Sequence, residues 1–167
     1  DRTIIGNPNP DFVYGINLEL SYKNLSLRVL ANGLYGNDIA NGNLLQLATP
    51  EGISWSNITT AAYNNAWRPE RTSNSYPRIG YTTNGQIAMP DWIIEDGSFL
   101  RISNINLSYQ FDRINIYLSA QNLFTFTGYS GYNPEVTSFL YDGLRNGVDW
   151  NGQPSARKFT IGLNFNL

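Results

Sequence analysis

The sequence contains neither cysteine nor histidine, and both absences restrict the chemistry open to it. Without cysteine the chain can form no disulfide and no thiolate metal site. Without histidine it lacks the commonest general base and the commonest metal ligand. We therefore predict a protein that is not an enzyme, and we interpret the adjacent acids Glu95 and Asp96 as solvated residues of a turn.

Charged residues and long apolar runs are also scarce. Charged residues make up 14% of the 167 residues, against about 25% in typical soluble proteins. The formal net charge of −2 gives no electrostatic basis for binding nucleic acid. No apolar run is long enough for a transmembrane helix, and no signal peptide is visible at the start of the sequence.

Five segments show strict alternation of apolar and polar residues, the pattern of β-strands with two different faces. We predict strands at about 12–22, 25–35, 99–111, 114–125 and 157–167. Lys23-Asn24 and Asp112-Arg113 are short enough to be two-residue hairpin turns. The segments 37–97 and 127–155 are long loops. In the first of them the stretch "SNITTAAYNNAW" could form one short helix, capped by Ser54 or Ser56. Short turns at one end and long loops at the other predict an all-β fold, five antiparallel strands of an outer-membrane β-barrel.

A soluble β-sandwich alternates as well, but the composition of the two faces favours a membrane strand. The polar faces carry Asn, Ser, Gln and Thr with few charges, whereas a solvated face normally carries more Lys and Glu. Aromatic residues gather near the ends of the apolar faces, as at membrane interfaces. Arg101 and Arg157 are in phase with the apolar residues and lie one spanning length, ~9–11 residues, before the ends of their strands. We therefore expect both arginines at the edge of the hydrocarbon.

These faces give two sets of predicted site residues. The residues predicted to face lipid are Ile16, Leu18, Leu20, Leu27, Val29, Leu107, Ile116, Leu118, Ile161 and Leu163. A Lys23-Asn24 turn places Glu19 opposite Arg28. We expect these two to form a charged pair that faces the lumen.

The aromatic residues of the long loops have two open interpretations. The candidates for contact with a substrate or a partner protein are Trp55, Trp67, Trp92, Trp150, Tyr129 and Tyr132. Packing against each other to order the loops is the favoured interpretation. In the loop 142–151 the oxygen-bearing side chains could hold calcium, but the EF-hand spacing is not met and a turn-rich loop is favoured. We predict no other cofactor.

We expect the long loops to lie at the outer surface, with Asn41 and Gly131 among their exposed positions.

Several stretches resemble the end of SusC/RagA-type TonB-dependent transporters. They are "GNPNPDFVYGINLELSYKN", "GLYGNDI", "WRPERTSNSYPRI", "IIEDGSFLRISNINLSYQF", "SAQNLFTFTGYSGYNPEV" and "ARKFTIGLNFNL". Together they cover nearly the whole chain in the family's order. The resemblance implies that residues 1–167 are the C-terminal segment of a 22-stranded barrel, with the plug and the TonB box upstream.

The resemblance also implies a function and partners. Such a transporter imports glycans, oligosaccharides or peptides across the outer membrane of a Gram-negative bacterium of the Bacteroidetes. Its partners would be the rest of the barrel and plug, TonB, membrane lipid and a SusD-type lipoprotein lid, and a dimer of transporter–lid pairs is left open. The long loops would be extracellular and the C-terminus periplasmic. The alternatives are a siderophore or vitamin receptor, and a soluble glycan-binding β-domain.

Overall fold

The structure, a computed structural model, describes residues 3–48, 57–72, 76–79, 89–136 and 145–165. In chain order its strands are β1 (Phe12–Tyr22), β2 (Leu25–Tyr35), β3 (Asp38–Asn41), β4 (Ile94–Asp96), β5 (Phe99–Phe111), β6 (Ile114–Thr127), β7 (Val148–Asp149) and β8 (Lys158–Phe165). Its helices are α1 (Gly42–Ala48) and α2 (Thr60–Asn65), with a 3-10 turn at Asp91–Ile93. The five predicted strands all form, as β1, β2, β5, β6 and β8.

These long strands make one antiparallel sheet in the order β1-β2-β5-β6-β8, so each long strand pairs with the next one along the chain. Two-residue turns join β1 to β2 and β5 to β6. The first residue of each turn, Lys23 or Asp112, has a positive φ, 53° and 47° respectively, as some tight hairpin turns require. The turn fixes the predicted register, in which Tyr22 pairs with Leu25.

The register separates the sheet into an apolar and a polar face, because directly opposed residues point to the same side. One complete row of the apolar face reads Leu20, Leu27, Leu107, Leu118 and Ile161. The adjacent row of the polar face reads Glu19, Arg28, Asn106, Ser119 and Thr160. Among the described residues most large side chains of the apolar face are exposed, and Ile161 is 77% exposed.

A β-bulge at Ser103 changes the phase of β5 and overturns one prediction. The pairing of β5 with both neighbours shifts between Ile102 and Asn104. An extra residue re-aims the side chains beyond it, so Ile102 lies on the apolar face and Arg101 on the polar one. Arg101 is 4% exposed. The prediction that it marks the hydrocarbon edge is therefore wrong, because strict alternation does not continue through the bulge.

Two glycines of the sheet are covered by the tyrosines that pair with them. Tyr14 pairs with Gly33 on the apolar face, and Tyr117 pairs with Gly162 on the polar face. In each case a Cβ on the glycine would collide with the tyrosine ring. The Tyr14 hydroxyl also donates to the Phe99 carbonyl at 2.8 Å. A ring lying over a glycine restores side-chain packing where the strand would otherwise have a gap.

The loops contain a second sheet, which the sequence reading did not predict. Strands β4, β3 and β7 form it, with β3 in the middle. The best-buried apolar side chains of the described chain gather around it rather than in the large sheet. Ile39 is fully buried, and Ile93 and Ala62 are each 1% exposed. We call the described residues of 36–98 and 128–152 the loop cluster, since they share this core.

The short helix predicted near residue 60 forms, but its cap differs from the prediction. Helix α2 is capped by Thr59, whose Oγ1 accepts from the Ala62 amide at 3.2 Å. The proposed cap residues Ser54 and Ser56 lie outside the described residues. Within the described part of the chain no helix is long and apolar enough to cross a membrane.

Candidate functional site

All ten residues predicted to face lipid lie on the apolar face of the sheet. Eight of them are exposed large hydrophobic residues in this chain: Ile16, Leu18, Leu20, Leu107, Ile116, Leu118, Ile161 and Leu163. Leu27 and Val29 are of intermediate exposure. Contact with lipid stays a prediction, and the structure supplies the surface that it requires.

Aromatic rings border this face at both ends of the strands. At the loop end Phe12 and Tyr35 stack with ring centroids 5.0 Å apart, and Phe124 and Phe126 do so at 6.4 Å. At the turn end the exposed rings are Tyr22, Tyr109, Phe111 and Phe165. An apolar band between two aromatic rows is the pattern found on the outer surface of membrane barrels.

Glu19 and Arg28 meet on the polar face, as the register of the hairpin predicts. The distance between Arg28 Nη2 and Glu19 Oε1 is 3.0 Å, and the two side chains are 54% and 60% exposed, glutamate first. An exposed pair of this kind adds little stability. Whether the face lines a lumen stays a prediction.

The segment from Glu95 to Arg101 connects the two sheets, and its first residue joins three loops. The Glu95 carboxylate accepts from Asn41 Nδ2 and from the amide and hydroxyl of Ser130, each at 2.8 Å. Asn41 also accepts from the Leu44 amide at 3.0 Å, which caps helix α1. Glu95 is thus a structural connector, in place of the solvated turn residue that the sequence suggested.

The next residues of this segment fix the loop that follows β2. Asp96 Oδ1 accepts from the amide and hydroxyl of Ser98 at 2.9 and 2.5 Å, and Ser98 Oγ accepts from the Gly36 amide at 3.0 Å. The Gly97 amide donates to the Asn37 carbonyl at 2.8 Å. Gly97 lies against Asn37 and Ile39 with no room for a Cβ.

Arg101, at the end of this segment, anchors residues 133–135 to the polar face. Its guanidinium forms an ion pair with Glu135, while Nη2 donates to Asn133 Oδ1 at 2.6 Å and Nε donates to Thr125 Oγ1 at 3.0 Å. Its side chain is 5% exposed and that of Glu135 is 41% exposed. The guanidinium also lies 5.4 Å from the centroid of the Phe99 ring. Sequence reasoning missed this anchor, although the consecutive polar residues Ser103 and Asn104 break the alternation at the bulge.

Tyr129 and Asp149 form a second buried anchor. The Tyr129 hydroxyl donates to Asp149 Oδ2 at 2.6 Å, and Asp149 Oδ1 accepts from the Gly152 amide at 3.0 Å. Tyr129 is 5% exposed and Asp149 is 1% exposed. Burial, followed by the bond to Asp149 and the nearby negative charges, raises the pKa of Tyr129 well above its ordinary value. The phenol therefore stays neutral and remains a hydrogen-bond donor at physiological pH.

The other aromatic candidates are dispersed over the loop cluster. Trp92 lies beside Tyr76 with ring centroids 5.9 Å apart, and the Trp150 ring covers Gly42. Trp67 is half-buried, and Tyr132 is 73% exposed. Trp55 lies outside the described residues. Ligand contact stays a prediction for these residues, while the contacts of Tyr129, Trp92 and Trp150 agree with the packing interpretation.

Two positions expected at the outer surface lie in the packed loop cluster. Asn41 is 3% exposed, and a side chain at Gly131 would collide with the Tyr129 ring. The expectation that both positions are open at the surface is therefore wrong.

The loop proposed for calcium is described only in part. Asp142 lies outside the described residues. Asp149 accepts hydrogen bonds from the Tyr129 hydroxyl and the Gly152 amide.

The geometry defines a class of protein. The antiparallel sheet is apolar on one side and polar on the other, with short turns at one end and the packed loop cluster at the other. Such a sheet is a segment of a membrane barrel wall. Solved structures share this fold. The RagAB peptide importer in its open-open state matches 95% of this chain and 17% of that chain, with a TM-score of 0.77 and 24% identity. Its closed-closed state matches 97% of this chain with the same score and identity.

Curated relatives are TonB-dependent receptors. TonB-dependent receptor P3 of Formosa agariphila is 33% identical over 98% of this chain, and TonB-dependent receptor SusC of Bacteroides thetaiotaomicron is 30% identical over 98%. The chain is thus homologous to TonB-dependent receptors including SusC over nearly its whole length. It spans 16 to 18% of the length of the curated relatives it matches. No protein-family model matches the sequence.

Proposed function

We propose that this chain forms part of the wall and surface loops of an outer-membrane transporter driven through TonB. The two-faced sheet is the observation that carries the proposal. Its apolar rows, exposed between two aromatic rows, suit contact with lipid hydrocarbon, while its polar rows suit a wet interior. The relatives named TonB-dependent receptors support the energy source.

The mechanism that we propose is gated passage, in which no bond of the cargo is broken. The polar face presents mostly amides and hydroxyls, with Glu19, Arg28, Arg101 and Lys158 as its charged residues among the paired positions. Such a face hydrogen-bonds polar cargo or a plug without holding it by strong charge. Glycans, oligosaccharides and peptides all fit that chemistry, and one structural relative is a peptide importer.

The partners are proposed on the same basis. The rest of the barrel would pair with the free edges of β1 and β8, since a membrane sheet must be closed. A SusD-type lipoprotein would cover the loop cluster, and TonB would act through a plug elsewhere in the complete protein. The loop cluster would then face the outside and the two hairpin turns the periplasm.

Uptake by the complete protein tests the function. In cells that express it, accumulation of labelled oligosaccharide or peptide should require both the transporter and TonB. Deleting either should reduce uptake to the background of passive leak. Uptake of neither class, together with TonB-dependent uptake of a siderophore, would favour the alternative receptor function.

Thiol labelling of intact cells tests the orientation. Asn64 is exposed on helix α2 and Asn24 is exposed in the β1–β2 turn. We expect Asn64→Cys to react with a membrane-impermeant maleimide on intact cells, and Asn24→Cys to react only after lysis. The opposite result would reverse the topology. These sites replace Asn41 and Gly131, which are packed.

A further inference from the structure

Residues 129–136, which we call the strap, follow β6 and lie over the polar face of the sheet. The strap is held at its start by the contact of Ser130 with Glu95 and at its centre by the contacts of Asn133 and Glu135 with Arg101. Arg101 is paired with Asn32 and Thr125, which are polar-face positions. The strap therefore crosses on the side opposite the apolar rows.

The strap also reaches toward both edges of the sheet. Asn133 Nδ2 donates to Ser155 Oγ, close to the start of β8, at 3.1 Å. Toward the other edge, Pro134, Glu135 and Val136 line a cleft together with Leu34, at the loop end of β2, and with Pro8. The contacts thus extend from the approach to β8 across β5 and β6 to the region of β2. A loop that lay only above the ends of the strands would not contact residues of the polar face, as the strap does through Arg101.

We propose that the strap is a built-in constriction of the transporter's outer mouth, and that Arg101 is the positioning residue that holds it there. This inference rests on the proposed function, because the polar face of the sheet lines a pore only if the sheet is part of a closed barrel. The buried guanidinium bridges a wall strand and the strap. An arginine fork is suited to this task, since it fixes two partners in one geometry.

The constriction predicts a limit on the size of molecules that pass the strap. Asn104 lies on the polar face just beyond the bulge, on the turn side of Arg101. A cysteine placed there in the complete transporter reports passage from outside. Intact cells would be treated with a small impermeant maleimide and, separately, with a maleimide that carries a long polyethylene glycol chain.

With Arg101 present, we expect the small reagent to label Asn104→Cys and the large one to label it many-fold more slowly. Adding Arg101→Ala or Glu135→Gln should raise the rate of the large reagent several-fold and leave that of the small reagent nearly unchanged. Glu135→Gln keeps the side-chain shape, so it serves if Arg101→Ala does not assemble. Arg28→Ala is the matched control, because it removes an exposed cation of the same face that has no contact with the strap.

Equal rates for the large reagent with and without the anchor would overturn the proposal, as would failure of the small reagent to reach the site. A general loosening of the barrel would instead accelerate both reagents and would likewise overturn it. Failure of the proposed function looks different: the protein would be missing from the outer-membrane fraction, or its uptake would not depend on TonB.

Discussion

At the scale of single residues, two ion pairs on the same face of one sheet have very different surroundings. Arg28 and Glu19 are both more than half exposed, whereas the Arg101 side chain is 5% exposed. Water screens the Arg28–Glu19 pair and hydrates either side chain when the other is removed. The buried Arg101 guanidinium has little access to water, so removing its partner Glu135 costs more free energy.

Removing the acidic partner should therefore cost very different amounts of stability at the two sites. Glu135→Ala leaves a buried cation with Asn133, Thr125 and the Phe99 ring, and should cost about 3–5 kcal/mol of unfolding free energy. Glu19→Ala should cost less than about 1 kcal/mol. Urea unfolding of the purified complete protein in detergent measures both. Similar midpoints for the two variants would contradict the burial of Arg101.

The Tyr129 hydroxyl should matter through its bond to the buried Asp149. Tyr129→Phe removes the donor and should cost about 1.5–3 kcal/mol, because the buried Asp149 carboxylate loses one of its hydrogen-bond donors. The control Tyr132→Phe, at a residue that is 73% exposed, should stay within about 0.5 kcal/mol. Hydrogen exchange of the loop cluster would report the difference as local opening.

The same tyrosine predicts how stability depends on pH. Its folded pKa is raised, so its contribution is complete below the unfolded pKa of about 10. Above that pH the unfolded chain loses a proton that the folded chain keeps, and stability falls. Thermal unfolding at about pH 9 and about pH 11 should show a smaller loss in Tyr129→Phe than in the parent. An unchanged loss would mean that other groups govern the alkaline limit.

At the scale of elements, the bulge in β5 determines which face the loop-end side chains occupy. Side chains alternate with a period of two, so one extra residue exchanges the faces of everything beyond it relative to strict alternation. If every residue of β5 alternated without the bulge, Arg101 would join the apolar rows, and Leu100 and Ile102 would turn to the polar face. The bulge is thus the device that brings an arginine to the strap.

Deleting Ser103 should consequently keep Arg101 on the polar face and allow assembly, as should Ser103→Ala. The deletion makes Ile102 and Asn104 adjacent, as their partners Ala31 and Leu30 already are, while the alanine keeps the backbone and loses only the contact with Asn32. Heat-modifiable migration of the complete protein on gels distinguishes folded from unfolded barrels. A deletion variant that does not fold would contradict the assignment of Ser103 as the extra residue of the bulge.

The wall was predictable from the sequence because its pattern is local. Alternation and two short turns define the five strands and the Glu19–Arg28 register without knowledge of distant contacts. The loop cluster was not predictable in this way. Strands of two to four residues, such as β3 and β7, carry too little periodicity to be seen, and partners such as Glu95 and Ser130 are brought together only by the complete fold.

At the scale of the whole molecule, β1 and β8 are the edge strands of the large sheet, and its apolar face is largely exposed. In the described part of the chain no further strand pairs with either edge, so both edges present unpaired backbone groups, and the apolar rows exceed what a soluble monomer normally exposes. Residues 1–167 alone should therefore aggregate or require detergent. A sharp, dispersed amide spectrum of this segment in plain buffer would contradict the membrane assignment.

The placement of the buried core outside the large sheet determines how the sequence can vary. Ile161 is 77% exposed and Ile39 is fully buried. The two isoleucines are therefore subject to different physical constraints. If the apolar face meets lipid as proposed, a library of all single substitutions should show that Ile161 accepts any apolar residue and rejects charge, because lipid selects for polarity and not for shape. Ile39 should reject phenylalanine and aspartate alike, because its close-packed neighbours limit the volume of the side chain as well as its polarity. In this molecule, solvent exposure and tolerance to mutation are therefore separate properties.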